Sequence, residues 1–215
     1  MNSTIEICED LTQNAINMIK NNFTGFLDLF APEIHNMVME KKLNNAIKAI
    51  EGIKSKLEEY GLQVDYKRYF EQKLQIPLMA VRALSEVNSE EQIEMLKNLF
   101  IRHLTEKYKD DSFYPAFIEI IKTFTPIEVT ILNQISKNSD LQTFLQDNNK
   151  EKLITINPEE IKKELGISDL EFDMAINNLE RNQIVSFLDY KENGDIKKFL
   201  TALGLMLILS CKESI

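Results

Sequence analysis

Asp110-Asp111-Ser112-Phe113-Tyr114-Pro115-Ala116-Phe117-Ile118-Glu119-Ile120-Ile121-Lys122-Thr123-Phe124-Thr125-Pro126-Ile127-Glu128-Val129-Thr130-Ile131-Leu132-Asn133-Gln134-Ile135 reads as helix, break, helix. The acidic pair Asp110-Asp111 precedes the first helix, expected from Phe113 to Phe124, where a negative charge complements the positive end of the helix dipole. The break falls at Thr125-Pro126-Ile127-Glu128. Proline is tolerated in a first helical turn because its missing N–H would have no partner there. The Thr125 hydroxyl can accept the Glu128 N–H while the Glu128 carboxylate accepts the Thr125 N–H, a capping box. A second helix therefore runs from Pro126 to about Lys137.

Toward the C-terminus, residues 138–152 are polar and read as a linker. Beyond them Asn157-Pro158-Glu159-Glu160 opens a short helix carrying Ile161 and Leu165, and Gly166 stops it. Ser168-Asp169-Leu170-Glu171 is another capping box, starting a helix with Phe172, Ala175, Ile176 and Leu179 inward. Ile184-Val185-Ser186-Phe187-Leu188 is β-prone, Asn193-Gly194 suits the positive φ values of a tight hairpin turn, and Ile196 to Leu200 returns antiparallel. Leu153 to Ile156 can add a third short strand, and an apolar helix follows from Thr201. Helix, helix, helix, hairpin, helix is a winged-helix order.

Toward the N-terminus the pattern is helical throughout. Ser89-Glu90-Glu91-Gln92 reads as a capping box opening a helix with Ile93, Leu96, Phe100, Leu104 and Tyr108 on one face. Residues 64–86 form another helix, interrupted or entered anew at Pro77. Pro32 opens a long helix with Ile34, Met37, Val38, Leu43, Ala46, Ile50, Ile53 and Leu57 at three- and four-residue steps, ending at Gly61. Residues 1–30 hold two short apolar patterns around Gly25. The expected fold is mainly α: a helical bundle over residues 1–110, then a winged-helix-like module over 112–215 with a small β-hairpin.

Composition narrows the functions available. Only 6 Gly and 5 Pro in 215 residues favour helices over turn-rich sheet. The net charge of −9 is spread along the chain, with 9 basic against 13 acidic residues over positions 141–215. Nucleic-acid binders need a cationic footprint to release counterions, so nucleic acid is an unlikely partner. Cys8 and Cys211 match no metal spacing and read as free thiols. The first ten residues have neither the basic nor the apolar part of a signal peptide. The longest apolar run, Ala202 to Leu209, falls far short of the roughly 20 residues a membrane span needs, so a cytoplasmic protein is expected.

The segment from Tyr114 to Leu132 resembles the (H/Y)P-x-F-x-x-I-(L/I)-x-x-(L/F)-(S/T)-P-x-(D/E)-x-x-I-L pattern of the Abi-alpha family, bacterial proteins grouped under abortive phage infection. The resemblance runs from about Phe70 to Ile135, through Ile76-Pro77-Leu78, Ala83-Leu84 and Leu96-Lys97-Asn98-Leu99-Phe100. It returns at Leu200-Thr201-Ala202-Leu203-Gly204, similar to the family's L-T-x-(F/L)-G. Ile101-Arg102-His103 departs from the small or apolar residues the family favours there. The resemblance implies a role in phage defence, and it brings no catalytic residues.

No chemistry-bearing motif stands out. A general base at His103 would need Glu106 or Asp110 as partner, but a boundary histidine on a packed helix is the reading preferred. His35 has no acidic or Cys neighbour at ligand spacing. Asp110, Asp111 and Glu119 could imitate a nuclease's metal cluster, but helix capping accounts for the pair. The six glycines are isolated, so no phosphate loop exists. No catalytic, cofactor or metal residue is therefore assigned, and no cofactor or small-molecule substrate is implied. The would-be reading helix offers Asp169, Glu171, Asp173, Asn177, Asn178, Glu180 and Arg181, too acidic to face phosphates. Lys191, Lys197 and Lys198 on the wing are its only compensation and the only candidate nucleic-acid contacts. The expected function is a non-enzymatic protein-interaction factor, with a protein partner or a second copy as its target. The alternatives are a winged-helix DNA-binding transcriptional regulator and a toxin or nuclease-like enzyme.

Overall fold

The computed structural model describes residues 9, 12–13, 16–17, 32–61, 75–87, 89–105, 113–137, 141, 154–192 and 195–211. The helices expected within residues 1–30 and the linker at 138–152 fall outside this set, isolated positions apart. The chain divides into two compact units, one reaching Lys122 and one from Thr123 to Lys212.

The first unit is helical. Helix α1 spans Pro32–Glu59 and packs on α2 (Gln75–Glu86) and α3 (Glu90–Leu104). Ala46, Ile50, Ile53 and Leu57 are all at most 2% exposed, the stripe that their spacing predicts, and Ala49 is buried beside them. The helix stops where expected, at Gly61, whose φ of +58° lies in the left-handed region that glycine adopts without strain. Pro77 sits in the first turn of α2, as a helix entered anew requires. A polar clamp joins α1 to α3: Lys56 Nζ bonds to Glu94 Oε1 and, at 3.0 Å, to Asn98 Oδ1. Lys97 Nζ donates to Glu94 Oε2 at 2.7 Å. Burial opposes the Glu94 charge, but the two ammonium groups outweigh it and hold the carboxyl below its ordinary range.

The entrance of α3 departs from the expected box. Ser89 Oγ accepts the Gln92 N–H at 3.4 Å, but the Gln92 side chain does not turn back to Ser89. It is buried and donates to the carbonyl of Ile121, 2.9 Å away near the end of α4 (Tyr114–Thr123). A helix leaves its last carbonyls without intrahelical partners. Satisfying one of them inside the core outweighs a surface cap.

The second unit carries a three-stranded antiparallel sheet among helices. Its elements are α5 (Pro126–Ser136), β1 (Thr155–Ile156), α6 (Pro158–Leu165), α7 (Asp169–Arg181), β2 (Val185–Glu192), β3 (Asp195–Leu200) and α8 (Ala202–Cys211). The strand order is β1-β3-β2, with Thr155 opposite Phe199 and Glu192 opposite Asp195. That register leaves two residues between β2 and β3; Asn193-Gly194 lies outside the described residues. The core gathers Val129, Ile131, Leu132 and Ile135 of α5 with Ile156, Ile161, Phe172, Ile176, Leu179, Ile184, Val185 and Leu207. The chain is thus mainly helical with a small antiparallel sheet.

Leu200-Thr201-Ala202-Leu203-Gly204 has a structural explanation in this unit. Thr201 Oγ1 accepts the Gly204 N–H at 2.9 Å and donates to the Gln183 carbonyl at 2.5 Å, tying the α8 entrance to the start of β2. Gly204 then passes so close to the Ile184 carbonyl that a Cβ would lie 2.2 Å from its oxygen. Only glycine permits that approach.

Candidate functional site

Helix α7 is fixed at both ends and on its inner face, and this leaves a defined outer face. At its start Ser168 Oγ accepts the Glu171 N–H at 3.3 Å, while Glu171 Oε2 accepts from the Ser168 N–H at 2.9 Å and from Ser168 Oγ at 2.7 Å. These hydrogen bonds, the hydroxyl's first, hold the Glu171 carboxyl below its ordinary range, so it stays charged at neutral pH. Phe172, Ala175, Ile176 and Leu179 are buried, as their spacing predicts. Asp169, Leu170, Glu171, Asp173, Met174, Asn177 and Arg181 are exposed.

Two of the residues expected on the outer face lie elsewhere. Glu180 is buried and pairs with Lys198 of β3 at 2.5 Å. Asn178 is half-buried and donates to Glu128 Oε1 at 2.8 Å. In their place the face presents Leu170, 69% exposed, and Met174, 67% exposed. Positions 170, 174, 177 and 181 recur at three- and four-residue steps and form one stripe. Glu171 and Asp173 lie on its two flanks. A signal for this was available: Leu170 and Met174 stand four apart and out of phase with the inward set.

Two of the unit's lysines are paired with carboxylates of the chain. Lys198, one of the three expected wing contacts, is committed to Glu180. Lys191 and Lys197 occupy strand positions opposite Ile196 and Tyr190. Lys162 lies between Glu159 Oε1 and Asp169 Oδ1, each 2.6 Å from its Nζ. Its pKa is raised, by the Asp169 bond first and the Glu159 bond next. Lys162 and Lys198 thus meet protein carboxylates where a nucleic-acid surface would offer them to phosphates.

His103 is not at a boundary but 2% exposed, its ring 4.9 Å from that of Tyr114 in an edge-to-face arrangement. Glu106, Asp110 and Asp111 lie outside the described residues, as does Cys8, and His35 belongs to α1. Glu119 is exposed and pairs with Lys122 at 3.2 Å. Cys211 is buried. Among the described residues no group of three or more His, Cys, Asp or Glu is placed to hold a metal ion. No described helix is long and apolar enough to cross a membrane.

The sequence profile of a family described as abortive infection alpha matches residues 39–203, more than half of the chain. No curated protein matches the chain, and no solved structure does.

Proposed function

Because the chain belongs to the abortive infection alpha family, we propose that it serves phage defence as a cytoplasmic binding module without chemistry of its own. We read residues 126–211 as a winged helix adapted to protein contact. The order α5, β1, α6, α7, β2, β3, with β1 paired on β3, supports that reading. In DNA-binding members of such folds the residues at the start of the second helix of the pair approach base edges. Here that place is taken by Asp169, Leu170, Glu171, Asp173 and Met174.

The exposure of Leu170 and Met174 carries the proposal. Isolated apolar residues on a surface need no explanation, whereas two adjacent ones on one helix face, rimmed by charge, match the make-up of a contact surface. Carboxylates on both flanks would repel phosphates and raise the energy of a DNA complex.

The test is a plating assay of phage on cells carrying the protein, wild type against Leu170→Ser/Met174→Ser. The expected result is loss of protection with unchanged protein abundance. Anisotropy with duplex DNA at about 150 mM salt, where long-range attraction is already screened, supplies the second arm. Sub-micromolar binding with a steep salt dependence would replace the interaction module with a regulator.

A further inference from the structure

We propose that the α7 face receives a basic amphipathic segment of a partner protein, with apolar side chains against Leu170 and Met174 and Lys or Arg beside Glu171 and Asp173. This rests on the interaction-module reading and adds the chemistry of the partner.

Charge selects the occupant. The apolar half of the stripe, Leu170 and Met174, is 69% and 67% exposed and is flanked by acids on both sides. Asp169 is partly offset by Lys162. Among the described residues Glu171 hydrogen-bonds to Ser168 alone, and no cation is paired with it. Asp173 is exposed, on the opposite flank. Arg181 stands at the far end, about three helical turns from Leu170, roughly 16 Å along the axis.

A second copy of this chain fits less well. A two-fold contact sets the same patch against itself, and the acidic flanks would then oppose one another. An anionic membrane surface is disfavoured by the same charges, since amphipathic helices bind it through Lys and Arg on their polar face. A partner helix with an apolar stripe and basic borders meets both features. Its leucine-sized side chains cover Leu170 and Met174 at an ordinary interhelical distance of about 8–10 Å, and its cations complement the rim.

The probe is a synthetic amphipathic helical peptide with leucines on one face bordered by lysines, compared with a counterpart bordered by glutamates. Both are titrated into the full chain labelled at its methionine methyls, with the Met174 signal assigned through Met174→Leu. The lysine peptide is expected to shift the Met174 signal and to bind at least tenfold more tightly than the glutamate peptide. That preference should shrink in Glu171→Gln/Asp173→Asn and weaken as salt is raised. Binding of the lysine peptide should be lost in Leu170→Ser/Met174→Ser, whose fold is checked by circular dichroism.

Equal affinity for the two peptides, or an unmoved Met174 signal, overturns the proposal. So does a concentration-dependent Met174 shift accompanied by a dimer in sedimentation, which would make the occupant a second copy. If the serine variant loses phage protection while neither peptide binds, only the basic partner is wrong. If protection is unchanged in that variant, the interaction reading beneath it falls as well.

Discussion

At the entrance of α5 Thr125 faces Glu128, and at the entrance of α7 Ser168 faces Glu171, the same four-residue device placed in two different surroundings. Glu128 is 3% exposed, and its two oxygens do separate work. One accepts the Thr125 N–H at 2.5 Å and the other accepts from Asn178 at 2.8 Å, which bolts the start of α5 to the middle of α7. The Thr125 side chain faces the Glu128 backbone N–H and completes the box. Among the described residues Glu171 has no partner beyond Ser168, and it borders the apolar surface of the exposed Leu170 and Met174. A capping box is thus a local instruction whose consequence depends on depth. Buried, it becomes a tertiary contact; exposed, it shapes a face that other molecules meet.

Helix α7 contains the same contrast within itself, and the largest expected effect comes from its inner side. Phe172 is 2% exposed. Phe172→Ala should lower unfolding stability by about 3–5 kcal/mol, the usual cost of a large core truncation with its cavity. Urea denaturation followed by circular dichroism measures it. A loss under about 1 kcal/mol would mean that α7 is not anchored by its inner face.

Glu128→Ala comes next. It removes an N-terminal cap, typically about 0.5–2 kcal/mol, and strips the Asn178 amide of its acceptor, roughly 1–3 kcal/mol where that donor stays dry. A combined loss of about 2–3 kcal/mol is expected. Glu128→Gln keeps an oxygen for Asn178 and should recover part of it. Equal losses in the two variants would show that charge at the helix entrance, not the bond to Asn178, is what matters.

Ser168→Ala tests the exposed box and should cost about 0.5–1 kcal/mol. It carries a pH signature. The folded pKa of Glu171 lies below its ordinary value of 4.5, so its stabilisation is present above the unfolded pKa and is lost as pH falls through the folded one. Wild type minus Ser168→Ala should therefore be constant near neutrality and shrink on the acid side of pH 4.5. A difference that grew on acidification would contradict the geometry.

Local devices were legible in the chain. The glycine stops at Gly61 and Gly166, the caps at Thr125, Asn157 and Ser168, and the inward stripe of α7 all depend on neighbours within four residues. The short strand before α6 and the hairpin were legible from β-prone runs and turn residues. What escaped depends on partners far along the chain. Gln92 leaves its cap for a carbonyl 29 residues away, and Glu180 is drawn inward by a lysine 18 residues away. His103 sits at the edge of a stripe on paper, yet α4 closes over it with Tyr114. Leu170 and Met174 escaped for another reason: periodicity finds the face that helices bury, and these two lie off it.

The smallest expected effect on folding sharpens the comparison most. Leu170→Ser/Met174→Ser alters two exposed side chains that contribute nothing to the core. Surface changes away from caps, cavities and buried polar groups usually stay within about 0.5 kcal/mol. Serine has a lower helix propensity than leucine or methionine, so a loss of a few tenths per position is the upper expectation. The variant should therefore unfold at nearly the wild-type urea midpoint, while Phe172→Ala, two residues from Leu170, unfolds far earlier. If apolar area at these positions were holding the unit together, the midpoint would fall as it does for a core truncation, and the face would belong to folding. A stable variant that has lost protection against phage assigns the two residues to contact with a partner, because stability and activity then part at one face of one helix.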